Sequence, residues 1–293
     1  MIAVKALLLL TTALLAGSAL APSLVGVAPP RRVARGALLL LTVLVVAFSA
    51  LEIAANLQRL LGFVDWSNFV YYLQNTRHGN AASLRAGTAL VLGALVQVRP
   101  GEGWALPKAV LALALLFSFS YSSHAAAMGG AGPMVVDWLH YVAVSAWLGA
   151  LLTVATSRIW SPASHEPRVD AVMRLSAIGL AAVIVMAVTG VVSTLVHLSD
   201  PPTFVTSPYA RSWLVKVMIV ITVIACAAWN RVRLVPLTKS RPEATGLRRG
   251  IAVELALLAA VFVATGWLST SPLPHSADAG VNAFENLQGF IEY

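Results

Sequence analysis

Long unbroken hydrophobic runs, separated by short polar connections, make up most of this chain. About eight runs are long enough to be read as membrane spans, over approximately 3–28, 36–61, 84–98, 104–122, 134–156, 171–197, 211–230 and 250–271; a spanning helix needs roughly 20 apolar residues. The third run is short, and Arg85 at its start is read as snorkelling to the surface. Ala, Leu, Val and Gly fill the runs. That texture predicts an all-α polytopic bundle with small-residue helix contacts, not a barrel of alternating strands. The segment 62–83 differs: Phe63, Trp66, Phe69, Val70 and Leu73 recur near helical spacing, with Asn68, Gln74 and Asn75 between them. It predicts an amphipathic helix lying at the lipid headgroups.

Composition agrees with the pattern. Hydrophobic residues are 58% of the 293 and charged residues only 11%, with a mean hydropathy of +0.80. Such a chain is a multi-pass membrane protein, read as one integral domain over 1–293 with an outer carboxyl tail over 272–293. One cysteine, Cys226, excludes an internal disulfide and a Cys-rich metal cage. The net charge of +8 would point to nucleic acid in a soluble protein. Here its distribution between connections matters more, and the expected surroundings are lipid, with no nucleic acid.

The first run imitates a signal peptide, with Lys5, an apolar stretch and Ala19-Leu20-Ala21. Pro22 would follow the cut, the run continues to Ala28, and Arg31, Arg32 and Arg35 lie beyond it. A retained span is the better reading. Alternate connections carry 13 of the 20 basic residues, among them Arg31, Arg32, Arg35, Arg158, Arg168, Arg174, Arg231 and Arg233. By the positive-inside rule that side is cytoplasmic, and both termini fall outside.

That topology sorts the histidines. His78, His124, His140, His197 and His275 face outward, and His165 faces the cytoplasm. His124, Met128, Met134, Asp137 and His140 fall within 17 residues at the outer edge of the fifth run. Ionisable groups are expensive in hydrocarbon, so their clustering there marks a candidate site. Thioether suits Cu(I), while imidazole and carboxylate serve Cu(II). Asp137 and His140, spaced i, i+3, adjoin on one helix, Met134 lies a turn earlier, and Trp147 shares the face of His140. With His197 closing the sixth run, the candidate ligands are His140, Asp137, His124, His197, Met128 and Met134. The structural alternative makes Asp137 a hydrogen-bonded partner that orients and neutralises His140.

Other polar residues in the runs read as structural. Glu254 pairs with the cytoplasmic arginines, and Lys216 snorkels outward toward a carboxylate. Glu52, four residues before Asn56, is either a relay or a helix-to-helix hydrogen bond. Met186, Met218 and Cys226 are packing residues.

Three motifs carry a family resemblance. They are Asp137-Trp-Leu-His140 with Trp147-Leu-Gly149; Thr206-Ser-Pro208-Tyr209-Ala-Arg211 leading into Leu214-Val-Lys216; and Trp229-Asn230-Arg231-Val-Arg233-Leu-Val-Pro236 followed by Leu247-Arg-Arg249 and Glu254-Leu-Ala-Leu. Together the chain resembles the CopD/PcoD copper-resistance membrane proteins, with Ala210 where that family usually has glycine. The resemblance implies a bacterial inner-membrane transporter, not an enzyme. It would move copper, as Cu(I) or Cu(II), from periplasm to cytoplasm, with a separate periplasmic carrier of the CopC type as donor. The reading from a different class is a haem b redox protein, with His140 and His197 as axial ligands on the outer side. No connection carries a nucleotide-binding loop, so the expected driving force is the ion gradient, the membrane potential or capture inside.

Overall fold

The structure, a computed structural model, describes residues 1–98, 102–123, 131–161, 164–197, 208–240 and 245–270. Among these the chain is helical: α1 (Ile2–Val25), α2 (Arg31–Leu61), α3 (Trp66–Asn75), α4 (Arg77–Val98), α5 (Ala105–Tyr121), α6 (Ala131–Thr156), α7 (His165–His197), α8 (Pro208–Trp229), α9 (Val235–Ser240) and α10 (Thr245–Leu268). A π-helical stretch over Asn230–Leu234 joins α8 to α9. Seven helices, α1, α2, α4, α6, α7, α8 (running on through α9) and α10, are long and apolar enough to cross a membrane, and α5 is a shorter apolar helix of 17 residues. The chain is thus a multi-pass helical bundle. The shortest of the eight apolar runs is therefore the fourth and not the third. At 1.5 Å per residue α5 is about 25 Å long, just under the hydrocarbon thickness of about 30 Å.

Helix α1 lies at the centre, in contact with α2, α5, α6 and α10. Small residues explain how the backbones come so close. A Cβ on Gly17 of α1 would lie 2.0 Å from the Ser145 carbonyl oxygen, and one on Gly149 of α6 would lie 2.2 Å from the Gly17 carbonyl carbon. Without a hydrophobic force between helices in lipid, this close packing is what holds them together. Leu8, Leu15, Leu115, Leu148 and Leu151 fill the space around the contact. Away from it α8 turns Leu214, Met218 and Ile221 outward, as a lipid-facing helix does. Helices α1 and α2 each end at a glycine in the left-handed conformation, Gly26 (φ 75°) and Gly62 (φ 78°), which only glycine adopts cheaply.

The amphipathic segment is α3, shorter than 62–83. Asp65 caps it by accepting from the Asn68 N–H at 2.8 Å. Phe69, Tyr72 and Leu73 pack on Ile53, Leu57 and Ala82, leaving Trp66 and Tyr71 exposed. Its burial against α2 and α4 pushes the Tyr72 phenol above its ordinary value.

Candidate functional site

Polar side chains gather in three places inside the bundle. The first is on α6, where Met134, Asp137 and His140 recur every third residue and are half-buried. His140 faces α7: its Nδ1 lies 2.9 Å from Thr189 Oγ1, and its Cε1 lies over Gly190. The Thr189 hydroxyl has one proton, which it donates to the Val185 carbonyl at 2.7 Å. That arrangement leaves its oxygen to accept and favours the His140 tautomer with hydrogen on Nδ1. In that neutral tautomer Nε2 keeps a lone pair, with no hydrogen-bond partner among the described residues. A ring held in one tautomer by its other nitrogen is how proteins present imidazole to a metal.

Asp137 does not perform that orienting role. No hydrogen bond joins it to His140 among the described residues, and Lys216 on α8 lies within electrostatic range of both Asp137 and His140. Lys216 is half-buried and forms no ion pair with Asp137 among the described residues, so the expected reach to a carboxylate at the outer surface is not seen. Trp147, two turns along α6, lies against Gly179 of α7, so it shares the α7-facing side with His140. His197 is the last residue of α7, with its side chain outside the described residues. His124 and Met128 also lie outside them. The six candidate ligands therefore divide: Met134, Asp137 and His140 share a stripe, and the other three are not placed.

The second cluster lies across α6, beyond Tyr141, whose hydroxyl donates to the Leu9 carbonyl at 2.6 Å. Glu52 of α2 accepts from Lys5 of α1 at 2.5 Å and from Arg85 of α4 at 3.0 Å. Arg85 also donates to Ser118 Oγ at 3.3 Å and lies 3.8 Å above the Phe119 ring. It is 1% exposed, so the snorkelling reading is wrong. The reason is helix length: α4 begins at Arg77, which puts Arg85 two turns inside the helix and level with Glu52. The choice left open for Glu52 resolves as interhelical bonding, through ion pairs. A carboxylate this buried persists because two cations and their hydrogen bonds offset its desolvation.

The third is Glu254 on α10. Among the described residues no arginine forms an ion pair with it. Its Oε1 accepts from Asn230 Nδ2 at 2.6 Å, and the Trp147 indole lies near the same carboxyl. Asn230 stands at the π-helical stretch, where the extra residue per turn swings it toward α10. Sequence reasoning missed Thr189, Tyr141 and Asn230. Only Asn230 left a signal, as an amide closing an apolar run.

A family model described as "Copper resistance protein D" matches residues 169–268. A second, "Copper resistance protein D-like, N-terminal domain", matches 1–134. Met134 ends the N-terminal match, Thr189 and Lys216 fall in the other, and Asp137 and His140 lie between the two. No curated protein and no solved structure matches the chain.

Proposed function

The chain belongs to the copper resistance protein D family, and on that premise we propose that it carries copper across the bacterial inner membrane, from periplasm to cytoplasm, through a site centred on His140. One observation carries the reading: the Thr189 hydroxyl beside Nδ1 of His140 favours the tautomer that leaves a lone pair on Nε2, on the same stripe as a thioether and a carboxylate. Met134 would supply a soft ligand to Cu(I), His140 one that suits either oxidation state, and Asp137 a negative charge. His124, Met128 and His197 belong to chain segments that border this end of α6 and α7, and they are proposed as the remaining donors.

Lys216 gives the site its resting charge balance. With no metal, its ammonium answers Asp137; an arriving cation takes over that carboxylate and repels the ammonium. The positive-inside rule turns this end of the bundle to the periplasm, where a carrier of the CopC type would deliver the ion. The membrane potential then favours entry by about 2.3 kcal/mol per charge per 100 mV.

The test is Asp137→Asn, which keeps size and hydrogen-bonding capacity and removes the charge. Copper affinity of the purified protein should fall about 10- to 100-fold with unchanged membrane expression. Unchanged affinity would reduce Asp137 to a partner of Lys216.

A further inference from the structure

Glu52 and Glu254 are both buried carboxyls in membrane helices, at 8% and 5% exposure, and their surroundings differ in one respect. Glu52 is held by two cations. Glu254 is held by an amide and lies near an indole, both uncharged, and no basic side chain among the described residues forms an ion pair with it. A neutral donor satisfies a lone pair without balancing a charge. A full negative charge in this setting costs several kcal/mol more than its hydrogen bonds return.

The surroundings look built. Asn230 lies flat on α10 at Gly250, where a Cβ would come within 2.3 Å of its Oδ1. That contact fixes the amide so that Nδ2 faces Glu254, and the π-helical stretch supplies the turn that puts Asn230 there. Beside the carboxyl is a cavity of about 140 Å³ lined by Trp147, Gly179, Asn230, Arg231 and Glu254 among others, with room for a few waters. Two further ionisable groups face this region. Cys226 of α8 approaches Asn230 Nδ2 at 4.0 Å, and Arg231 donates to the carbonyl and hydroxyl of Ser176, at 2.8 and 2.6 Å. From α6 and α7 only uncharged side chains line the cavity.

We infer that Glu254 is a proton-binding site. At rest it is a carboxylic acid; on release its O–H bond breaks, the proton passes to water in the cavity, and the carboxylate keeps the N–H of Asn230. The site lies 14 residues along α8 from Lys216, about 21 Å from the His140 end. It rests on the surroundings of the carboxyl and stands whether or not copper is the cargo.

Infrared difference spectroscopy of the purified full-length protein, between alkaline and acid pH in H2O and D2O, tests it. The wild type should lose a carboxylic-acid C=O band on alkalinisation, and the band should shift in D2O. Glu254→Gln should lack it and Glu254→Asp should move it. An unchanged band in Glu254→Gln would overturn the inference. If that variant fails to fold, the wild type decides alone: a folded protein with no titrating, deuterium-sensitive acid band would overturn the inference equally.

Discussion

Replacing Thr189 with valine removes one hydroxyl and keeps the side chain's shape. In the native protein that oxygen accepts from His140 Nδ1 at 2.9 Å while its own proton is committed to Val185. Valine leaves Nδ1–H facing methyl groups, and an unsatisfied buried donor costs about 1–3 kcal/mol. The ring escapes by moving its proton to Nε2, which turns the lone pair meant for the metal into an N–H. Copper binding must then reverse that shift. At 1.4 kcal/mol per factor of ten, affinity should drop about 10- to 100-fold, the range for loss of a group that orients a ligand. The assay is anaerobic titration of purified protein with Cu(I) against a competing chromophoric chelator, with thermal unfolding as the check on folding. Thr189→Ser restores the acceptor and should restore affinity. A folded Thr189→Val protein that binds Cu(I) as the wild type does would refute the tautomer argument.

Glu52→Gln leaves Lys5 and Arg85 as neighbouring buried cations without a counter-ion, so the variant should lose about 3–5 kcal/mol, read as low expression or a lowered Tm. Adding Lys5→Met should recover part of that loss, and a native-like single variant would mean the ion pairs of Glu52 contribute little. Gly149→Ala should also lower Tm, because its Cβ would fall 2.2 Å from the Gly17 backbone, whereas Gly132→Ala on the same helix meets open space and should not. Equal Tm values for the two would contradict the backbone contact of α1 and α6.

The readable part of this molecule was what repeats locally. Apolar runs gave the helices, and three-residue spacing gave the stripe Met134, Asp137 and His140, because both follow from the turn of a single helix. Pairings between helices leave no such trace. His140 and Thr189 are 49 residues apart and Glu52 and Arg85 are 33 apart, and threonine in an apolar helix is too ordinary to single out. Arg85 was misjudged because the polar residues Arg77, His78 and Asn80 disguise the first turns of α4 as a connection. In sequence the nearest charges to Glu254 are arginines, whereas the fold brings it the neutral Asn230 amide and the Trp147 indole.

Copper accumulation in cells tests the central claim most directly. Cells expressing the wild type, His140→Ala and His165→Ala at matched membrane levels should be compared with an empty vector by metal analysis. The account predicts raised cellular copper for the wild type and His165→Ala, and the vector level for His140→Ala. Copper raised equally by His140→Ala, or not raised by the wild type, would contradict it.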